Sequence, residues 1–72
     1  EQQKSLIDAL TKTVQLAVEE KHLKPDADAR QMAFEIEGIM MSLNFHHRLL
    51  RDRRAVDRAR AAFQRLVQFN QP

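Results

Sequence analysis

Apolar side chains recur along this chain at intervals of three and four residues, the spacing that gathers them on one side of an α-helix. The first series predicts a helix from about Lys4 to Lys21 with a single buried side. Its apolar positions are Leu6, Ile7, Leu10, Val14, Ala17 and Val18. Pro25 disfavours helical geometry for the residue before it, so we expect a tight connection between this helix and the next.

The second predicted helix has apolar residues on two opposite sides. It is expected to begin at Asp28, whose carboxylate is a favourable N-cap, and to run to about Leu50. At about 100° per residue, its apolar positions form two stripes. The first stripe is Met32, Ile36, Ile39, Leu43 and Leu50, and the second is Phe34, Gly38, Met41, Phe45 and Leu49. Three helices from a short chain can cover one of these sides, so the pattern predicts that a second subunit covers the other.

The third predicted helix follows Asp52, another candidate N-cap, and spans about 53–68. Its apolar arc is wide and comprises Ala55, Val56, Ala59, Ala62, Phe63, Leu66, Val67 and Phe69. The small Ala59 and Ala62 permit a short distance between helix axes. We therefore expect a four-helix bundle built from helices two and three of each of two subunits and closed by a two-fold axis. The alternative is that both stripes are ordinary core of one larger chain.

Composition supports an all-α, single-domain fold over residues 1–72. The chain has one Gly, two Pro and no Cys, so strands are disfavoured and no disulfide stabilises this small fold. Oligomerisation is the remaining common source of stability. The longest aliphatic run, at residues 39–41, is far too short for a membrane span, which predicts no membrane partner. The absence of Cys fits the cytoplasmic location that we expect. The polar N-terminus, without an initiator Met or signal peptide, suggests the C-terminal part of a longer chain.

Candidate chemistry is sparse, and we expect neither an enzyme nor a metal or cofactor. The adjacent His46 and His47 lie about 100° apart on a helix, so they cannot chelate one metal ion as an i, i+4 pair would. A pH-sensitive interface remains a hypothesis for these imidazoles. Seven arginines lie between Arg48 and Arg65, a pattern found in nucleic-acid-binding proteins. Asp57 lies at helical spacing from several of them, which favours a solvated, charge-paired face instead.

Parts of the chain resemble the C-terminal region of tetracycline-repressor-type (TetR/AcrR) transcriptional regulators, over about Leu23 to Val67. The matching features are an Asp-capped helix opening with Gln-x-Ala-Phe-Glu, a Gly one turn later, Asn-x-x-x-Arg-Leu-Leu-x-Asp at its end, and the run Ala59-Arg60-Ala61-Ala62-Phe63. The resemblance implies a helical regulatory domain whose last two helices form the dimer interface. The predicted interface residues are Phe34, Gly38, Met41, Phe45, Ala59, Ala62, Phe63 and Leu66.

The function expected from this resemblance is dimerisation and ligand response in a TetR-type regulator. Nothing in residues 1–72 reads as a helix-turn-helix, so the homodimer would contact DNA only through a domain not present in this chain. A small-molecule inducer would be bound mainly by helices that are also absent. Two alternatives stay open: a free-standing helical oligomerisation or adaptor module, and a small basic nucleic-acid-binding protein.

Overall fold

The computed structural model describes residues 2–72, with side-chain positions from Lys4 onward, and this part of the chain contains no strand. Helix α1 spans Gln2–Glu19, α2 spans Ala29–Asn44 and continues as a π-helical turn at Phe45–Leu49, and α3 spans Ala55–Phe69. The all-α prediction is confirmed. Within residues 2–72, each helix is too short or too polar to cross a lipid bilayer.

The central helix is α2, which packs against both α1 and α3. In the described residues no close backbone contact joins α1 to α3. The subunit's core cluster takes one side chain from each helix and one from the α1–α2 connection: Val14, Leu23, Met32 and Leu66. Ile36 and Ile39 pack against this cluster, so the first apolar stripe of α2 faces the subunit's own body over this length.

The end of the second helix differs from the prediction. A helix to about Leu50 was expected, but regular α-helix ends at Asn44, and the Leu50 N–H donates to the Phe45 carbonyl at 3.3 Å, the i→i+5 pattern of a π turn. Arg51 adopts a left-handed conformation with φ 53°, and the Asp52 N–H then donates to the His46 carbonyl at 2.9 Å. A π turn contains more residues per turn than an α-helix, so the positions after Asn44 no longer follow the 100° spacing of α2. Leu50 is therefore exposed rather than aligned with the first stripe.

The start of the third helix also differs in detail. Asp52 was expected to cap a helix beginning at Arg53, but its Oδ1 accepts the Arg54 N–H at 2.9 Å within the loop. Helix α3 begins three residues after Asp52, at Ala55, and its N-cap residue, Arg54, makes no side-chain capping bond. The Asp52 carboxylate therefore stabilises the connection between the two helices instead of the first turn of α3.

Two hydrogen-bonded contacts connect α1 and α3 to α2 and the residues just before it. The Arg30 guanidinium donates to Asp8 Oδ1 at 2.8 Å, joining α2 to α1, and this hydrogen bond lowers the pKa of the Asp8 carboxyl. At the other side, the Lys24 N–H donates to the Asn70 carbonyl at 2.8 Å. This bond holds the C-terminal end of α3 beside the start of α2, so α2 and α3 run antiparallel.

The predicted N-cap of α2 is present, since the Gln31 N–H donates to Asp28 Oδ1 at 3.1 Å. Replacing Asp28 with alanine should reduce the free energy of unfolding by about 1 kcal/mol, because a helix-terminal amide loses its acceptor. In a chain of this size, that loss lowers the melting temperature by roughly 4–8 °C in thermal unfolding followed by circular dichroism. Asp26→Ala is the matched control, because that carboxylate makes no hydrogen bond in the described residues. Equal melting temperatures for the two variants would contradict a capping role.

Candidate subunit interface

Four large apolar side chains line the outer side of α2 and its π turn. Their exposed fractions are 66% for Phe34, 62% for Met41, 49% for Phe45 and 72% for Leu49. The subunit's own helices therefore leave the second apolar stripe open, in contrast to Met32 on the opposite side of α2, which is buried. We call these four side chains, together with Gly38, the outer face of α2.

Gly38 lies in the middle of the outer face. A Cβ atom built on it meets no other atom within 4 Å, so packing inside the subunit does not require glycine here. Its backbone φ is also not positive, which removes the conformational reason for glycine. Because a glycine inside a helix costs about 1 kcal/mol relative to alanine, the position weakens the helix with no gain visible within one subunit. The result is a local depression between Phe34 and Met41.

A shallow groove of about 440 Å³ runs between α2 and α3, and we call it the α2–α3 groove. Five of its eleven lining residues are small: Gly38 and Ser42 from α2, and Ala55, Ala59 and Ala62 from α3. Charged groups, including Glu35 and Arg58, also line it. The structure thus brings the predicted interface residues Gly38, Ala59 and Ala62 together, in a surface that another helix could approach closely.

The other two predicted α3 residues lie elsewhere. Leu66 is 8% exposed and belongs to the subunit's own core cluster. Phe63 is half-exposed, and it lies seven residues from Val56, hence on the same side of α3. Val56 lines a second, larger groove of about 860 Å³ together with Leu6 and Met40, and we call it the α1–α2 groove. The predicted α3 residues are therefore divided among the α2–α3 groove, the core and the flank of α3 that carries Val56.

Phe69 was not among the predicted interface residues. It is 76% exposed, more than any other large apolar side chain in the described residues, and the Lys24 ammonium lies 4.4 Å from its ring centroid. It follows Ala62 by seven residues, so the two share a side of α3. The sequence contains this spacing. It did not predict that Phe69 is exposed, because the wide apolar arc of the third helix does not indicate which side faces outward.

The two adjacent histidines contribute to different grooves. His46 lines the α2–α3 groove and makes an edge contact with Phe45, with ring centroids 5.4 Å apart. His47 lines the α1–α2 groove. His46 therefore lies where the outer face of α2 meets the α2–α3 groove.

Charge is unevenly distributed along the chain. Residues 1–44 contain five Lys and Arg against eight Asp and Glu, whereas residues 45–72 contain seven Arg against two Asp. Asp57 was expected to pair with several arginines, but in the described residues it pairs only with Arg60, at 3.6 Å. Because Arg48, Arg51, Arg53 and Arg54 are exposed near the C-terminal end of α2, that end of the subunit is basic.

The chain matches a known protein family. The family model described as "Tetracyclin repressor-like, C-terminal domain" matches residues 1–63. The matched region includes α1, α2, the π turn and the first half of α3. No curated protein and no solved structure matches the chain.

Proposed function

This chain belongs to the tetracycline repressor-like C-terminal domain family, and from that premise we propose that it is the dimerisation and ligand-responsive region of a TetR-type transcriptional regulator. It acts in the cytoplasm as a homodimer and without catalysis. Its partner is a second copy of the same chain.

The observation that supports dimerisation most strongly is the exposed outer face of α2. Covering roughly 400 Å² of apolar surface per subunit contributes on the order of 10 kcal/mol at about 25 cal/mol per Å². Part of this gain is offset by the loss of rotational and translational freedom on association. The depression at Gly38 and the small residues of the adjoining α2–α3 groove favour a close approach of the partner's helices.

In this proposal, DNA is contacted by a helix-turn-helix domain outside residues 1–72. Helices α2 and α3 of both subunits set the separation of the two DNA-binding domains, and an inducer changes that separation. The inducer is bound mainly by helices outside these residues. The exposed Met40 of the α1–α2 groove is an adaptable side chain that suits the edge of such a cavity.

The molar mass of the chain in solution tests the premise shared by these statements. Light scattering coupled to gel filtration at micromolar concentration should give about twice the subunit mass of 8.4 kDa. A stable monomer under these conditions would remove the main argument. A free-standing oligomerisation module would give the same dimer. The coding sequence upstream of Glu1 distinguishes the regulator from the free-standing module, because only the regulator encodes a helix-turn-helix there.

A further inference from the structure

We propose that the end of the α1–α2 groove beside the π turn binds the anionic head group of a small amphipathic molecule. The hydrogen-bond donors are the side chains of Asn44, His47 and Arg48, and the apolar part of the molecule lies against Met40 and Leu43 farther along the groove. The inference rests on the proposed function, because it names the ligand class of the ligand-responsive region. Neither the family nor the apolar pattern specifies that class.

The π turn brings His47 and Arg48 to the same groove. Consecutive residues of an α-helix lie about 100° apart, and in a continuous helix Arg48 would lie in the direction of Met41, seven residues earlier. That direction belongs to the apolar outer face. Because a π turn has more residues per turn, Arg48 is rotated back toward the direction of Asn44 and lines the α1–α2 groove beside His47.

The end of α2 contains one residue more than the end of α1. Both helices are followed by a residue with positive φ, Lys21 at 66° and Arg51 at 53°. After Lys21, the next N–H donates to the carbonyl five residues back at 2.9 Å, whereas after Arg51 the next N–H donates to the His46 carbonyl, six residues back, at 2.9 Å. Additional residues accommodated in π turns are frequent at functional sites. Here the additional residue gives the groove a second polar side chain.

The donors at this end of the groove are not used within the subunit. Arg48 is exposed and has no carboxylate partner in the described part of the chain. The nearest carboxylate in the sequence, Asp52, lines the α2–α3 groove instead, and its Oδ1 accepts the Arg54 N–H. An unpaired guanidinium can donate two parallel hydrogen bonds to a carboxylate or a phosphate, the geometry that favours an anionic ligand over a neutral one.

Glu37 determines which end of the groove suits an anion. It is half-buried in the same groove but precedes Arg48 by eleven residues, about 16 Å along a helix at 1.5 Å per residue. The screening length at physiological ionic strength is about 8 Å, so the Glu37 charge acts only weakly on an anion held at Arg48. Between the two charges the groove is lined by Met40 and Leu43 of α2 and by Val56 of α3. An amphipathic anion therefore fits with its head group at Arg48.

Titration of the isotope-labelled chain with octanoate, octanol and octylammonium tests the ligand class, because the three probes share one apolar chain and differ in head group. Backbone amide shifts in the nuclear magnetic resonance spectrum report the binding position. Octanoate should give saturable shifts at residues 44–48 and bind about ten-fold more tightly than octanol. Equal affinities, tighter binding of octylammonium, or no saturable shift with octanoate at millimolar concentration would each overturn the inference.

Arg48→Gln tests the assignment to this side chain, since it removes the charge and keeps a polar group on the surface. Its affinity for octanoate should fall about ten-fold, while its affinity for octanol stays unchanged. Arg58→Gln is the matched control, because Arg58 is also exposed but lines the α2–α3 groove. An equal loss in both variants would mean that octanoate responds to the net charge of the chain, and the assignment to this groove would be wrong.

Failure of this inference is distinguishable from failure of the proposed function. Light scattering measures the dimer without any ligand, and the titrations measure ligand class whatever the molar mass. A dimer that shows no preference for octanoate overturns the anion site alone. A monomer overturns the proposed function, and selective octanoate binding by that monomer would still support the anion site.

Discussion

Replacement of Phe45 by glutamate should convert the proposed dimer into monomers that remain helical. Phe45 is half-exposed in the subunit and lies on the outer face of α2, so the change affects association more than folding. Two-fold symmetry introduces each change twice. Because only about half of each Phe45 side chain remains to be buried on association, losing two copies at about 1 kcal/mol each weakens association by roughly 2 kcal/mol, or about 30-fold, before the cost of desolvating two carboxylates is added.

Leu16→Glu is the matched control for this variant. Leu16 is 58% exposed, similar to Phe45, but it lies on α1 and contributes nothing to the outer face of α2. Light scattering should show a monomer for Phe45→Glu and an unchanged dimer for Leu16→Glu, while circular dichroism shows comparable helix content in both. A dimer that persists in Phe45→Glu at micromolar concentration would mean that subunits associate through another surface.

Replacement of Leu66 by alanine should have the largest effect on folding. Leu66 is 8% exposed and packs with Val14, Leu23 and Met32, so alanine leaves a cavity where all three helices and their connection meet. The expected loss in the free energy of unfolding is about 2–4 kcal/mol, a large share of the stability of a small fold. Urea unfolding measures this loss. All variants are compared at the same protein concentration, because dimerisation couples stability to concentration.

Phe63→Ala is the informative comparison for Leu66→Ala. Phe63 is the larger side chain but is half-exposed, so we expect its removal to cost less than the removal of Leu66. Leu66→Ala should remain dimeric at concentrations where it is folded. If Phe63→Ala is the more destabilising change and also dissociates the dimer, then α3 contributes to the interface through Phe63, and the smaller effect expected for this variant is wrong.

For α2 as far as Asn44, where the regular helix ends, the sequence was sufficient to predict which positions face inward and which face outward. Polar residues separate its two apolar stripes, so a 3.6-residue period allows only one way to divide the helix into two sides. The structure buries Met32 and exposes Phe34 and Met41, as that division predicts. The N-cap at Asp28 was predictable for a similar reason, because capping depends on residues adjacent in the chain.

For α3 the sequence was insufficient. An apolar arc that covers most of a helix has no preferred inward direction, so the positions of Leu66, Phe63 and Phe69 depend on how α3 is rotated against its neighbours. That rotation is fixed by contacts far apart in the sequence, among them the bond between the Lys24 N–H and the Asn70 carbonyl. Side-chain periodicity contains no information about such contacts.

The sequence by itself determined that the chain is all-helical, that α2 is apolar on two opposite sides and that the family is of the tetracycline-repressor type. The first two follow from the local spacing of apolar residues, and the third from the resemblance and the family match over residues 1–63. Only the tertiary structure decided that α2 closes in a π turn, that Leu66 is core and that Gly38 adjoins Ala59 and Ala62 in one groove. These features depend on the relative rotation of packed helices, which is set by the fit of side chains across the core.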